Sequence, residues 1–218
     1  MSSQKKSKIL GFAFLFQALT SLVSGTVFSK PLVTEDGMVN MTSIADNPLL
    51  LKLNILGQTI TAMGIVFLAA VLFSMLKVQN KKLALTAFGI YILEASLLAV
   101  CEIADFSILC ISQEYVVSEQ PDILQTLGNL IYKSMKYGQE LSMAAFCIGA
   151  ILFYYLLYKS RIVPRVLSLW GLLAVIPCLA ATLSALFGYD LPFLVYLPYV
   201  PFEFFIGVWI LIKGNNDI

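Results

Sequence analysis

The sequence has 218 residues, of which 59% are apolar and 12% are charged. An ordinary soluble domain is about half apolar and about a quarter charged, so this chain has too little charge to cover a water-soluble surface. The composition excludes a disordered chain, a coiled coil and a nucleic-acid-binding protein, and it predicts an all-α integral membrane protein.

The residue types that are absent restrict the chemistry. The sequence contains no histidine, which excludes histidine-ligated zinc and haem, Ser-His-Asp triads and imidazole acid–base catalysis. The four cysteines include no C-x-x-C pair, and those in apolar stretches are expected to be small buried side chains. We therefore predict no catalytic residue, no metal and no cofactor.

Six stretches are long and apolar enough to be membrane-spanning helices, which need about 20 residues. They cover residues 9–28, 49–76, 83–108, 137–158, 164–187 and 191–212. The sequence thus predicts one transmembrane domain, residues 1–218, folded as a six-helix bundle. The first stretch follows basic residues, as a signal peptide does. However, its apolar run is longer than that of a signal peptide and no A-x-A site follows, so we expect it to be retained.

Charged residues alternate between the connections. Basic residues lie before the first span, after the second, after the fourth and after the sixth, at Lys5, Lys6, Lys8, Lys77, Lys81, Lys82, Lys159, Arg161, Arg165 and Lys213. Two of the other connections carry acids, at Glu35, Asp36, Asp46, Glu114, Glu119 and Asp122. The positive-inside rule therefore predicts a multi-pass protein of the cell membrane with both termini in the cytoplasm. Lys159, Arg161 and Arg165 are also placed to bind anionic lipid headgroups.

The connection at about residues 109–136 contains apolar residues with helical spacing, and Pro121-Asp122 is typical of a helix start. Two structures fit this pattern: a separate helix lying in the membrane interface, or an extension of the fourth span into water. Tyrosines near the ends of the spans, including Tyr154 and Tyr199, are expected to form aromatic belts at the two interfaces. Pro198 and Pro201 are expected to disturb the sixth span and free backbone carbonyls next to Glu203.

Three polar side chains are predicted to lie at the middle of the membrane. With a rise of about 1.5 Å per residue, Glu94 lies about 18 Å beyond Lys82 and Glu203 about 15 Å before Lys213. Gln17 reaches about the same depth from Lys8. A carboxylate in hydrocarbon costs several kcal/mol unless it is paired, protonated or turned into the bundle. Glu94 and Glu203 are therefore candidates for ligand binding or proton coupling, although each could instead donate a hydrogen bond to a neighbouring helix.

A second polar layer lies nearer the outer ends of the spans. It comprises Lys52, Asn54, Gln58, Glu102, Asp105, Gln139 and Glu140. We predict that these side chains line a polar cavity that opens outward and is closed near Glu94 and Glu203. The further candidates for ligand binding or proton coupling are Gln17, Lys52, Asn54, Gln58 and Glu140. An alternative for Lys52, Glu102 and Asp105 is that their side chains reach the interface as ordinary helix-end residues.

Several blocks resemble one known family. The residues 156–171, LLYKSRIVPRVLSLWG, are similar to the turn between the fourth and fifth helices of a prokaryotic family catalogued as domain of unknown function 4386. The opening Lys8-Ile9-Leu10-Gly11, the step Leu93-Glu94-Ala95 and the ending Glu203…Gly207-Val208-Trp209…Lys213-Gly214 also resemble its pattern. The resemblance implies a multi-helix membrane protein. Tyr91 departs from the basic residue expected in many members, which implies that an ion pair made by that residue is missing here.

Three kinds of function fit these features. The first is a membrane protein that binds or transports a small molecule, ion or lipid through the polar cavity at Glu94 and Glu203. The second is a non-catalytic partner or regulatory subunit of another membrane protein, of unknown oligomeric state. The third is a membrane enzyme. Gly188-Tyr189-Asp190 is similar to one half of an intramembrane aspartyl protease pair, but a second matching motif is missing from the sequence.

Overall fold

The computed structural model describes residues 3–24, 33–34, 37–118, 121–189 and 191–213. Within these residues the chain is helical, and its only extended pairing is an isolated bridge between Val33 and Val39. The helices are α1 (Ser3–Val23), α2 (Met41–Asp46), α3 (Pro48–Leu76), α4 (Lys81–Tyr115), α5 (Pro121–Ser160), α6 (Arg165–Leu186) and α7 (Tyr199–Lys213), with a 3-10 turn at Phe193–Val195. The predicted all-α fold is confirmed for the part of the chain that the structure describes.

Four of the helices, α3 to α6, are long and apolar enough to cross a membrane. Helix α1 adds a shorter apolar stretch, Ser7–Val23, and residues 25–28 of the predicted first span lie outside the described residues. Glu35, Asp36, Glu119 and Asp190 are outside them as well. The six-span topology and the side on which the termini lie stay predictions.

The predicted sixth span is not helical at its beginning. Residues 191–198 do not start a helix; they contain the 3-10 turn Phe193–Val195, and α7 begins at Tyr199. Proline at 192 and 198 accounts for this, because proline has no backbone N–H for the helical ladder. Pro201 lies in the first turn of α7 and not in its interior, and a proline is tolerated there.

The separate interfacial helix is also wrong. Residues 121–160 form one continuous helix, α5, of 40 residues. No proline follows Pro121 within it to break the ladder. At about 1.5 Å per residue α5 is about 60 Å long, which is twice the thickness of the hydrocarbon layer that a spanning helix crosses.

The chain divides into two compact units, each built from separate segments. The first unit comprises Met1–Leu19, Met63–Ala95 and Glu140–Ile218. The second comprises Thr20–Ala62 and Ser96–Gln139. Polar side chains are buried in both units.

In the first unit, α1 and α7 approach backbone to backbone. A Cβ atom added to Gly11 would lie 2.9 Å from the carbonyl oxygen of Gly207 and 2.9 Å from the backbone nitrogen of Leu211. Glycine permits this approach because it has no side chain to separate the helices. The contact fixes α1 against the helix that carries Glu203.

In the second unit, a segment that the sequence placed in a loop forms part of the core. Val39, Met41 and Ile44 pack with Leu51 of α3 and with Ile108 and Leu109 of α4. Two side chains of α5 tie this segment down: Gln125 Nε2 donates to the carbonyl oxygen of Val39 at 2.9 Å, and Asn129 Oδ1 accepts from its backbone N–H at 2.9 Å. The side chain of Asn40 caps the short helix α2 by accepting from the N–H of Ser43.

Large apolar side chains also cover much of the helix surface. On α6 the exposed ones include Val166, Leu169, Leu173, Ile176 and Leu183, which recur every three to seven residues. A water-soluble protein does not expose apolar stripes of this extent, whereas a lipid-facing helix does. The surface therefore agrees with the membrane character expected from the composition.

Candidate functional site

Glu203 is the end of a chain of hydrogen-bonded hydroxyls in the first unit. Tyr199 donates its hydroxyl to Glu203 Oε1 at 2.8 Å, and the hydroxyls of Tyr154 and Tyr199 lie 2.6 Å apart. A tyrosine hydroxyl has one hydrogen, and that of Tyr199 is directed to Glu203. When Glu203 is ionised, Tyr154 therefore donates to Tyr199, and both hydroxyl protons point towards the carboxylate.

Aromatic side chains surround this chain and hold it in place. The ring of Phe202 is fully buried and contacts Tyr154 edge to face, with ring centroids 5.1 Å apart. Gly171 of α6 leaves the space for that ring, because a Cβ there would lie 2.5 Å from it. Trp170 donates its indole N–H to the carbonyl oxygen of Pro198 at 3.2 Å. This carbonyl, which lies immediately before α7, thus has a defined partner.

Glu94 is buried in the same unit, with 5% of its surface exposed. Its backbone carbonyl accepts a hydrogen bond from Ser142 Oγ at 3.0 Å, while its Oε2 has no hydrogen-bond partner among the described residues. Its negative charge and that of Glu203 lie close enough to repel each other. The two acids that were predicted to lie at one depth thus belong to the same unit and interact electrostatically.

Rings bridge the helices that carry these acids. Tyr91, one turn before Glu94 on α4, contacts Phe146, and Phe146 contacts Tyr199 edge to face at 5.2 Å between centroids. Tyr91 is buried and also packs against Phe153. At the position where a basic residue was expected, the chain thus has an aromatic packing contact.

This arrangement can hold a proton in two ways. With Glu203 ionised, both tyrosines donate towards it; with Glu203 protonated, the carboxylic acid can donate to Tyr199 and the whole chain can reverse. A carboxylate away from water and without a cation is costly, so a proton or a bound cation would offset the repulsion that Glu94 receives from Glu203. The site is thus suited to exchanging protons or binding a small cation.

The roles of Tyr154 and Tyr199 were not predicted from the sequence. Both were expected in interfacial belts, and this is wrong, because both are buried and hydrogen-bonded. Tyr199 precedes Glu203 by four residues, a spacing that places two side chains on one face of a helix. This spacing could have predicted the contact between Tyr199 and Glu203. Tyr154 belongs to another helix, so no spacing in the sequence could have predicted its contact with Tyr199.

The outer polar layer is only partly assembled as predicted. In the second unit Asn54 Nδ2 donates to Asp105 Oδ2 at 3.0 Å, and Glu102 is buried beside them. Glu102 and Asp105 do not extend outward from the helix as ordinary helix-end side chains do, because their exposed fractions are 6% and 3%. Lys52 is exposed, as that explanation requires.

The remaining candidates lie in several places. Gln17 is buried in the first unit next to Gly64 of α3. Glu140 belongs to the same unit, is half-buried and acts electrostatically on Tyr196. Gln58 is half-buried in the second unit, one turn after Asn54. The cavity that Gln58 and Glu140 were predicted to line stays a prediction.

The basic turn between α5 and α6 is exposed. Lys159 lies 5.1 Å from the ring of Tyr155, and Arg165 lies 5.3 Å from the ring of Tyr158. Arg161 ends α5 in a left-handed conformation, with φ of 56°. The three cations thus face solvent at one end of two helices, beside aromatic rings of the kind found at membrane interfaces.

No group of three or more acidic or cysteine side chains that could hold a metal occurs in the part of the chain that the structure describes. Cys101, Cys147 and Cys178 are buried, as expected for small apolar side chains, and Cys110 is exposed. Asp190, the acid of the protease-like tripeptide, lies outside the described residues.

The apolar helices with buried carboxylates define a helical membrane protein. The chain belongs to the family described as Domain of unknown function (DUF4386), whose model matches residues 9–214. The resemblance noted in the turn between α5 and α6 is thereby confirmed. No curated protein and no solved structure matches the chain.

Proposed function

We propose that this protein binds or transports a small molecule, ion or lipid within the membrane, and that Glu203 and Glu94 exchange protons in the process. The observation that carries the proposal is the row of hydrogen-bonded hydroxyls from the buried Tyr154 through Tyr199 to the partly buried Glu203. Glu94 adds a second carboxylate, on which the charge of Glu203 acts electrostatically. Binding of a proton or a small cation at one acid changes the field at the other, and this is the coupling that a proton-linked transporter needs.

The proposal also includes a topology of six crossings with both termini in the cytoplasm. The alternation of basic and acidic connections supports it. Helix α7 has only 15 residues, about 22 Å, so residues 191–198 must complete the sixth crossing.

Reporter fusions test this topology. We expect a fluorescent protein that folds only in the cytoplasm to be active when it is fused to either terminus. Alkaline phosphatase, which is active only outside the cytoplasm, should be active when it is fused after residue 118. The opposite pattern at either terminus would contradict the six-crossing proposal.

Substitution of the two acids tests the proton exchange. In reconstituted membranes, acidification should produce the infrared carbonyl band of a protonated carboxylic acid, and Glu94→Gln and Glu203→Gln should each remove part of that band. Proton entry into proteoliposomes under an imposed potential, read from an internal pH dye, should fall by about tenfold or more in both variants, since an essential proton-transfer group is lost.

Glu114→Gln is the matched control, because it removes one negative charge from an exposed position of α4. It should leave both the infrared band and the proton flux as in the unmodified protein. If Glu94→Gln and Glu203→Gln also leave both unchanged, the proton-exchange proposal is wrong.

A role as the partner subunit of another membrane protein is the second candidate, and one observation favours it. Near the start of α5, Ile123, Leu127 and Leu130 are 62%, 43% and 62% exposed. They lie in the half of this long helix that extends beyond the hydrocarbon layer if the basic end of α5 is at the cytoplasmic surface. Purification in mild detergent discriminates: a stoichiometric second protein favours the partner role, and a monodisperse single chain favours the first proposal.

A further inference from the structure

Two turns of the first unit, between α3 and α4 and between α5 and α6, carry basic residues at the same end of the helices. These residues are Lys77, Lys81, Lys82, Lys159, Arg161 and Arg165. Helices α4 and α5 run in opposite directions, because Tyr91 packs on Phe153 while the carbonyl of Glu94, three residues later, accepts from Ser142. The start of α4 and the end of α5 are therefore at one level, and so are the two turns.

No carboxylate offsets these charges. The stretches 77–82 and 159–165 contain no aspartate or glutamate, and none of the six basic side chains forms an ion pair with a carboxylate in the part of the chain that the structure describes. All six side chains are exposed. Like charges that are collected at one surface create a positive potential, so this end of the unit attracts anions.

Aromatic rings hold several of the cations in place. The rings of Tyr155 and Tyr158 lie 5.1 Å from Lys159 and 5.3 Å from Arg165, and Lys77 lies 5.9 Å from a ring of α3. Amphipathic rings and long basic side chains are typical of the boundary between hydrocarbon and headgroups. The cationic groups are thus suited to the level of the lipid phosphates.

Arg161 is held in a conformation that is unfavourable for arginine. Its N–H donates to the carbonyl oxygen of Leu157 at 3.2 Å and its φ is 56°, which is the left-handed helix end that glycine usually occupies. A residue with a Cβ is strained there, whereas glycine is not. Strain that is retained at an exposed cation indicates that its charge has a function.

The start of α6 adds to the positive field at this turn. Pro164 precedes the helix without a side-chain capping bond, and the first turn contains no acid. A helix N-terminus carries about half a positive charge, so Arg165 at this position has the unfavourable sign. The turn therefore combines three cations with a helix N-terminus that has no acidic side chain, an arrangement that favours a phosphate group.

We propose that the turn between α5 and α6 binds the phosphate of an anionic phospholipid through Lys159, Arg161 and Arg165, and that the lysines of the other turn strengthen the attraction. The apolar side chains that follow favour a lipid over a soluble anion. Val166 and Leu169, which are 77% and 47% exposed, continue from the basic turn along α6 and can contact the acyl chains of the same lipid. The site is separate from the proposed proton exchange.

Quenching of Trp170 by brominated lipids tests the proposal. Trp170 is partly exposed and follows Arg165 by five residues, and Trp209→Phe removes the other tryptophan. In vesicles of equal parts phosphatidylglycerol and phosphatidylcholine, we expect the binding constant from quenching to favour phosphatidylglycerol by about fivefold or more. High salt should remove most of this preference, since screening at about 1 M salt shortens the range of the attraction to about 3 Å.

Matched variants locate the preference on the protein. Lys159→Gln/Arg165→Gln should abolish it. Lys133→Gln/Lys136→Gln should keep it, although this variant also removes two exposed cations, because they lie on the part of α5 that belongs to the second unit. Glu203→Gln should keep it as well, so this test can succeed or fail independently of the proton-exchange proposal.

Arg161→Gly separates the charge from a structural role. In phosphatidylcholine micelles the unfolding midpoint should rise by about 2–4 °C, because glycine relieves the strain. The preference for phosphatidylglycerol should fall by about fivefold in the same variant, since one cation is lost. Arg161→Lys should keep both the midpoint and the preference. A purely structural arginine would instead lower the midpoint on substitution by glycine and leave the preference unchanged.

Inorganic phosphate tests the other source of the same chemical group. At millimolar concentration it should displace brominated phosphatidylglycerol no better than chloride at equal ionic strength. Stronger displacement would mean that the turn binds free phosphate and that the lipid assignment is wrong. The proposal is also overturned if both brominated lipids quench Trp170 equally at low salt, or if Lys133→Gln/Lys136→Gln lowers the preference as much as Lys159→Gln/Arg165→Gln.

Discussion

Replacement of Gly11 by leucine is expected to destabilise the folded protein by about 3 kcal/mol, the upper range for forcing a larger side chain into a packed contact. The obstacle is backbone: a Cβ at this position would lie 2.9 Å from the carbonyl oxygen of Gly207 and from the nitrogen of Leu211. Neither atom can move without shifting α7. Unfolding in mixed micelles, followed by circular dichroism, would measure the change.

Other glycines of the same chain supply graded controls. Gly89 on α4 has nothing within 4 Å of an added Cβ, so Gly89→Leu should be neutral or stabilising through its higher helix propensity. At Gly207 the nearest atom to an added Cβ is Leu15 Cγ at 2.7 Å. This side chain can turn away, so Gly207→Ala should cost less than Gly11→Ala. Equal stability of Gly11→Leu and Gly89→Leu would show that α1 does not pack on α7 in this way.

Tyr199→Phe is expected to destabilise the protein by about 2 kcal/mol or more and to abolish proton exchange at Glu203. The substitution removes the central hydroxyl, so Tyr154 loses the acceptor of its proton and Glu203 loses a donor. Each buried polar group left unsatisfied costs about 1–3 kcal/mol. The same micelle unfolding and the proteoliposome proton flux measure the two effects.

Substitution of other tyrosines shows whether the effect comes from the connected hydroxyls or from the loss of a tyrosine hydroxyl in general. Tyr154→Phe removes the end of the chain and should cost about 1 kcal/mol, and Tyr137→Phe, at a residue 54% exposed, should cost nothing measurable. In the double variant Tyr154→Phe/Tyr199→Phe the losses should not add, because the second substitution removes the group that the first left unpaired. If the stability losses of the two single variants add up to that of the double variant, the two hydroxyls are not coupled as described.

Features that depend on a local stretch of sequence, such as the position of a helix, could be predicted from the sequence. The length of apolar runs predicted the helices α3 to α6, and the block at 156–171 indicated the family. The Pro121-Asp122 pair located the start of α5 correctly. The start of α7 was not predicted correctly. Prolines near the start of a helical segment are compatible both with an interrupted helix and with a helix that begins later, and the sequence does not distinguish the two.

Contacts between helices were decided only by the tertiary structure. Hydropathy and charge gave the depth of Glu94 and Glu203, but a depth does not say which way a side chain faces around its helix. Tyr154 and Tyr199 are separated by 45 residues and Asn54 and Asp105 by 51, and no spacing rule joins residues so distant. Their pairing follows from how the helices are rotated and packed, which small residues such as Gly11 and Gly171 permit. The sequence by itself determined a membrane protein of one family; the packing of its helices determined which buried polar groups meet.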